Sequence, residues 1–366
     1  MKIALIFGTR PEAIKMAPVY HELKNNGEEV IVISTGQHRE MLYQVLDLFE
    51  IKPDYELEIM KEGQNLSELT SRLILKVEEI VKKEKLDYIL VQGDTTSAFV
   101  GALVGFYNQI SVGHIEAGLR TGNIYSPFPE EANRKLIGNI AEVHFAPTEI
   151  NVENLLKEGY ESQNILKVGN TVIDALYWVK KNKNADLDSI RTKYDLNNKK
   201  YILMTMHRRE NWGQPMRDVL RGVRKYLEKN KELYLVFPMH MNPVVRAVIE
   251  DELNGFERKL LINPLEYLEF IAVMDGSYYI MTDSGGVQEE APSLGKPTLV
   301  LRDTTERPEA IQAGTAKLIG TSSEKVYEYM NLLEGELYKK MSTANNPYGD
   351  GKTSLKIKEY LKEKRK

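Results

Sequence analysis

The chain contains no cysteine. That excludes disulfides, thiolate nucleophiles and Cys-ligated metals, and says little about compartment. It has no surplus of positive charge either: 49 Lys and Arg stand against 53 Asp and Glu, for a net charge of −4. A broad grip on a nucleic-acid backbone needs such a surplus, so nucleic acid is not an expected partner. Long apolar runs are also missing. The longest, AFVGALVGF at 98–106, is too short to span a bilayer. The opening MKIALIFGTRPE has a five-residue apolar run, where a signal peptide needs a longer one and a small-residue cleavage site. A cytoplasmic protein without membrane contact is expected. Neither a G-x-G-x-x-G fingerprint nor a Walker loop occurs, which removes the usual signs of NAD or ATP.

What is present is a globular composition, 42% hydrophobic and 28% charged over 366 residues. That length exceeds one ordinary core and suits two domains. Short apolar runs alternate with amphipathic stretches. Strands are expected at 2–8, 29–35, 87–94, 111–117, 142–147 and 165–169. A second series starts at YILMTMH (201–207) and continues through ELYLVFPM, KLLIN, SYYIMTDS and PTLVLRD. LSELTSRLILKVEEIVKKEK (66–85) repeats apolar residues at three- and four-residue spacing, which predicts a helix. Near-continuous apolar strands between helices imply parallel sheets covered on both faces. The expected fold class is α/β, with two Rossmann-like, doubly wound parallel-sheet domains facing a central cleft. Their expected ranges are 1–170 and 171–353, with the charged stretch 180–200 as a linker or a short connecting helix and loop. The closing SLKIKEYLKEKRK reads as a charged, largely solvated helix, and residues 354–366 can also pack back on the first domain.

Open parallel sheets bind ligands beyond the carboxyl ends of their strands, so the residues there are the candidates. GTRPEAIKMAP (8–18) sets Arg10 and Lys15 near a helix N-terminus, whose free N–H groups and dipole favour an anion. QGDTTSA (92–98) puts Asp94 at a strand end, where a capping or turn role is the plain reading. GHIEAGLRTG (113–122) offers Glu116 with Arg120, and SPFPEEANR (126–134) offers Glu130 and Glu131 after Pro129. Acids suit the first turn of a helix, yet three carboxylates on successive strand-end loops are also the equipment for general acid–base chemistry. In the second series MTMHRREN (204–211) ends a strand with His207, Arg208, Arg209 and Glu210, a grouping that fits a phosphate or carboxylate. TDSGGVQEEAPSLGKP (282–297) has two readings. Gly285 and Gly286 form a tight left-handed turn, or with Ser284 they let an anion approach the start of the next helix. Glu290 can accept hydrogen bonds from vicinal hydroxyls, and Arg307 of RDTTERPEA (302–310) adds a cation. These residues suit a phosphorylated, hydroxyl-rich ligand and call for no metal and no cofactor.

Taken together and in order, GTRPEAIK, QGDTTSA, HIEAGLRT, SPFPEEANR, HRREN, TDSGGVQEEAPSLGKP and RDTTERPEA resemble the non-hydrolysing UDP-N-acetylglucosamine 2-epimerases over nearly the whole chain. The resemblance implies a GT-B fold, a homodimer, and interconversion of UDP-GlcNAc and UDP-ManNAc, the product feeding surface polysaccharides or glycoconjugates. It assigns Arg10, Lys15, Asp94, Glu116 and Glu130 to the sugar and leaving group, with His207 joining the acids as a catalytic group. His207, Ser284, Gly286 and Arg307 fall on the diphosphate, Glu290 on the ribose, and Phe270 and Leu265 on the uracil. Without the resemblance Phe270 reads as a core residue. A second, activating UDP-GlcNAc is implied beside Gln37, His38, Arg208 and His240. Gly63 departs from the pattern where an arginine is expected, which weakens that second site.

The chemistry agrees with the resemblance. The C2 hydrogen of a GlcNAc ring has no neighbouring carbonyl to acidify it. Without a dinucleotide loop, the open route is loss of UDP from C1, proton removal from C2 to give 2-acetamidoglucal, and re-addition from the other face. That route needs carboxylates and cations on a departing diphosphate. A GT-B glycosyltransferase with a UDP-sugar donor is the alternative, and a non-catalytic nucleotide-sugar-binding module is a third reading.

Overall fold

The apolar runs pair into two parallel sheets in the computed structural model of the chain, which describes residues 1–36, 39–59 and 63–364. Two compact units result: Met1–Trp178 together with Tyr348–Lys366, and Val179–Pro347.

The first unit holds seven strands: β1 (Lys2–Phe7), β2 (Glu29–Ser34), β3 (Tyr55–Glu56), β4 (Tyr88–Gln92), β5 (Ser111–Ile115), β6 (Val143–Ala146) and β7 (Ile165–Lys167). Their order is β3-β2-β1-β4-β5-β6-β7, with β1 between β2 and β4 and Ile3 in register with both Val30 and Tyr88. Ile3, Ala4, Leu5 and Ile6 are fully buried, as a strand covered on both faces requires. The chain leaves β1 toward β2 on one side and returns at β4 on the other. The loops after β1 and β4 therefore flank a topological switch point, the usual place for a ligand.

The second unit repeats the plan with β8 (Lys200–Thr205), β9 (Leu233–Pro238), β10 (Lys259–Ile262), β11 (Tyr279–Thr282), β12 (Thr298–Val300) and β13 (Ala316–Leu318). The order β10-β9-β8-β11-β12-β13 puts its switch point between β8 and β11. β3 spans two residues, and β13 is AKL with a lysine between its apolar residues, so no apolar run announces either. The helix expected over 66–85 runs Leu66–Glu84, capped by Asn65.

The terminal helix, read from its charge as largely solvated, is docked, and the stretch 180–200 does contain a short connecting helix. The terminal helix Thr353–Lys364 buries Ile357 and Leu361, and Lys358 reaches Glu22 at 2.7 Å. Its start is held by buried Asp174, which accepts the Thr353 and Ser354 N–H groups at 3.2 and 2.7 Å. The charged stretch 180–200 contains the helix Asn184–Lys193, pinned by fully buried Leu187 and by Lys193 on Glu269 at 2.8 Å. One or two buried apolar residues in the whole helix suffice to dock each, a signal too sparse to outweigh their charges in the sequence. Among the described residues no helix is long and apolar enough to cross a membrane.

Candidate functional site

At the switch point of the first unit three loops meet around Gly8. A Cβ there would lie 2.0 Å from Thr35 Oγ1 and 2.7 Å from Ser97 Oγ, so the approach needs glycine. Thr9 caps the helix Arg10–Asn25, and Glu12 completes a capping box. The Glu12 carboxylate accepts Gly8 N–H at 3.0 Å, Thr9 N–H at 2.8 Å and, from the loop after β4, Thr95 Oγ1–H at 2.5 Å. Burial raises its pKa, and the bonds from Thr95, Gly8 and Thr9 pull it back. Glu12 thus clasps the β1 and β4 loops together, a role the sequence reading passed over although the T-x-x-E spacing announces a capping box. Arg10 opens the helix half-buried, and no described residue hydrogen-bonds or ion-pairs with its side chain.

Glu116 follows β5 with φ of 64°, a conformation that costs a non-glycine residue energy and is held only by its surroundings. Its carboxylate pairs with Lys15 and Arg134, the latter at 3.1 Å, and accepts from Gln92 at 3.0 Å and Asn170 at 3.5 Å. Arg134 also donates to the Glu116 carbonyl at 2.7 Å and reaches Asp94 Oδ2 at 2.7 Å. Buried Arg134 is therefore the hub on which Glu116 and Asp94 converge. Glu116 and Arg120, which the motif offers together, do not pair with each other. Both Glu116 and Gly118 have positive φ, so the segment turns instead of forming a helix face, and Arg120 forks onto Glu158 at 2.8–3.1 Å.

The two adjacent acids of SPFPEEANR separate. Glu131 is buried and accepts the Thr121 and Gly122 N–H groups at 3.0 and 3.3 Å, fixing the turn before its own helix. Glu130 opens the helix Glu130–Ile140 with Oε2 buried and, among the described residues, without a hydrogen-bond partner. Behind the Asp94 loop, His114 meets Gly93 O through Nε2 at 2.7 Å, and burial pushes its pKa down to about 3, so it stays neutral.

In the second unit the switch point is organised by Asp283, which is fully buried one residue beyond β11. It accepts the His207 N–H at 3.1 Å, the Arg208 N–H at 2.9 Å and Asn211 Nδ2–H at 2.9 Å, with His207 Nδ1 at 3.2 Å. His207 is presented with half its side chain exposed. Arg208 is turned inward, donating from Nε to Asp283 O at 3.0 Å and meeting Glu306 at 3.4 Å. Gly285 and Gly286 do not form a left-handed turn: they open the helix Gly285–Glu290 after Ser284 at the N-cap. Arg307 pairs with buried Glu289 and passes close to Gly285, where a Cβ would be 3.7 Å from its Cζ. Glu290 is buried and accepts Tyr267 O–H at 2.8 Å; burial and this carboxylate together hold the Tyr267 pKa well above its usual value.

Leu265 precedes the helix Tyr267–Gly276, and Phe270 on that helix is only half-buried while Ile271 to Met274 fill the core. Phe270 is thus not the core residue that periodicity alone suggests. His240 accepts Asn242 N–H at 3.1 Å on Nδ1 and lies 5.6 Å from the Trp212 ring. Gln37 and His38 lie outside the described residues. Among the described residues no group of three or more His, Asp or Glu is arranged to hold a metal ion. Besides Glu12, the sequence reading missed Arg134 and Asp283. Each stood inside a quoted motif, but its partners lie 18 to 76 residues away.

The model of the UDP-N-acetylglucosamine 2-epimerase family matches residues 21–362. The UDP-N-acetylglucosamine 2-epimerase of Bacillus subtilis is 51% identical over 366 residues, 99% of this chain and 95% of that protein. Its counterpart in Escherichia coli K12 is 48% identical over 375 residues, covering 100% and 99%. The crystal structure of the Neisseria meningitidis UDP-GlcNAc 2-epimerase bound to UDP-GlcNAc superposes with a TM-score of 0.87 at 48% identity, over 99% of this chain and 100% of that one. Two parallel α/β sheets of this order, full-length identity near one half and the family match agree: the chain has the GT-B fold and belongs to the UDP-N-acetylglucosamine 2-epimerase family.

Proposed function

We propose that this epimerase interconverts UDP-GlcNAc and UDP-ManNAc by eliminating UDP and adding it back. The carrying observation is the pair Asp94 and Glu130. Asp94 sits on the loop after β4, Glu130 opens the helix Glu130–Ile140 of the same unit, and both keep an acceptor available: Asp94 is 26% exposed at its side chain, and Glu130 Oε2 has no described partner. Glu116, by contrast, is ligated on both oxygens. A proton carrier needs a free lone pair in reach of its proton, so Asp94 and Glu130 suit the transfers at C2, while Glu116 suits the holding of Lys15 and Arg134. In the forward direction the C1–O bond breaks with its electrons on UDP. The C2–H electrons then become the C1=C2 bond of the glucal as a carboxylate takes the proton. Return of a proton to the opposite face with re-addition of UDP gives the epimer.

His207, Arg307 and the N–H groups after Ser284 at Gly285 and Gly286 suit the departing diphosphate, with Arg10 as a further cation for it. Glu290 suits the ribose hydroxyls, and Phe270 and Leu265 the uracil. The product is then activated ManNAc for surface polysaccharide or glycoconjugate synthesis, made by a homodimer.

The test is to incubate the protein in D2O with UDP-GlcNAc alone, with EDTA present and NAD withheld, and to follow the nucleotide sugars by NMR. UDP-ManNAc carrying deuterium at C2 is expected. Retention of the original hydrogen, or a requirement for NAD, overturns the elimination route. Turnover only on addition of a sugar acceptor overturns the epimerase in favour of a transferase.

A further inference from the structure

A carboxylate taken wholly out of water costs several kcal/mol unless its lone pairs are filled. Asp283 is such a group, and four donors surround it. Three of them, the His207 and Arg208 backbone N–H groups and the Asn211 amide, carry hydrogen under all conditions. The fourth, His207 Nδ1 at 3.2 Å from Oδ1, carries one only in a particular tautomer. An ionised carboxylate can only accept, so a nitrogen facing it without hydrogen would set lone pair against lone pair. A histidine left to itself places its single proton preferentially on Nε2, the opposite choice.

We infer that Asp283 is a positioning residue that holds His207 as the Nδ1–H tautomer and so makes Nε2 the nitrogen offered outward. Nε2 lies across the ring from the Nδ1 that faces Asp283, the side chain is half exposed, and the backbone around it is fixed: Asp283 takes the His207 N–H, and Trp212 Nε1–H donates to the His207 carbonyl at 3.3 Å. Neutral His207 then presents an acceptor at Nε2. Protonated His207 presents a donor there, while its positive charge rests against the buried carboxylate of Asp283. The neighbouring cations Arg208 and Arg302 both lie on Glu306, and Arg302 also faces Glu210 at 3.2 Å. His207 is the one titratable side chain that an ion-pair contact sets directly on the Asp283 carboxylate among the described residues. An acid behind a histidine that selects its tautomer is the arrangement of hydrolase triads, here placed behind a group that meets a phosphate. The inference rests on the proposed role of His207 at the diphosphate only for its consequence in turnover; the tautomer itself follows from geometry.

The experiment is nitrogen-15 NMR of the imidazoles in the full chain, above the titration of His207, with His207→Asn identifying its signals among the six histidines. Protonated Nδ1 and bare Nε2 are expected. Bare Nδ1, or a mixture of the two tautomers, overturns the inference whether or not the protein epimerises anything. In Asp283→Asn the His207 signals are expected to move toward the Nε2–H form, with turnover about 10–100-fold lower and UDP affinity changed much less. An Asp283→Asn protein that folds, keeps the Nδ1–H tautomer and turns over normally also overturns it. If that variant does not fold, the wild-type tautomer alone decides.

Discussion

The two units use ion pairs at their switch points with opposite polarity. In the first, the buried member of the Arg134–Asp94 pair is the cation: the Arg134 side chain is 5% exposed and that of Asp94 26%. In the second, the buried member is the anion. Asp283 is fully buried behind His207 at 51%, and Glu289 at 5% stands behind Arg307 at 16%. The first sheet therefore presents a carboxylate, Asp94, braced by a buried cation, and the second presents the Arg307 guanidinium and the His207 imidazole braced by buried carboxylates. The elimination proposed above calls for both kinds of group, acids for a proton and donors for a departing diphosphate. Lys15 and Glu116 are the exception, since both are largely buried and the acid more deeply. It marks Glu116 as part of the bracing and not of the presented surface.

The largest expected effect comes from deleting what each unit presents. Asp94→Asn and Glu130→Gln should each lower turnover by about 10²–10⁴-fold, with UDP affinity nearly unchanged because neither group neutralises the diphosphate. Arg307→Ala should do the reverse, weakening UDP binding by about 1.5–3 kcal/mol. Steady-state rates together with calorimetric UDP titration check both halves. If the acid variants lose UDP binding in step with turnover, the division between the units is wrong.

Deleting what braces the presented acids should show in stability. Arg134→Met leaves Glu116 and Asp94 without their shared cation, and breaking a buried pair from one side costs about 3–5 kcal/mol. The two tryptophans make the unit separable. Trp178 stacks on His21 in the first unit and Trp212 lies in the second, so Trp178 fluorescence in a Trp212→Phe background follows the first unit alone. Urea unfolding read this way should shift strongly for Arg134→Met. A loss under 1 kcal/mol would mean that water or Lys15 compensates and that Arg134 is no hub.

The polarity contrast also explains what was legible in the sequence. The presented residues sit just past apolar strands, so Asp94, His207 and Ser284 stand out at the ends of QGD, MH and TDS, and the bracing Glu116 ends HIE in the same way. The parallel sheets follow from those same doubly covered runs. Bracing residues stand in the same motifs, but their meaning depends on partners brought together by strand order. Lys15 meets Glu116 across 101 residues, and Asp283 meets the His207 loop across 76. Local spacing even misleads: Glu130 and Arg134 are four apart on one helix, the pattern of a surface pair, yet Arg134 is spent on Glu116 and Asp94. Glu116 and Arg120 are also four apart, and the positive φ at Glu116 and Gly118 undoes that pairing.

Arg120 supplies the smallest effect and the finest test of the same contrast, since it is a cation of the first unit that braces no presented acid. It lies in a partly exposed fork on Glu158, a kind of pair worth about 0.2–1 kcal/mol. Arg120→Met should therefore leave turnover within about twofold and cost stability of that order at pH 7.5. The deficit should then shrink as pH falls. Burial first, and the Arg120 charge second, push the His144 pKa down from 6.5 to about 4. Below 6.5 the unfolded chain takes up a proton that the folded one refuses, so the wild type loses stability on acidification through that window. Removing Arg120 lets the folded His144 accept its proton at higher pH, which reduces the loss. Glu158 acts in the same direction. Its pKa is lowered chiefly by the hydrogen bond from Arg120, so the wild type's gain from that pair is present at neutral pH and fades as the carboxylate protonates in acid. Urea unfolding at pH 7.5 and pH 5, read on Trp178, should find variant and wild type closer at the lower pH. A deficit that grows on acidification, or a tenfold fall in turnover, would place Arg120 with Arg134 among the bracing cations.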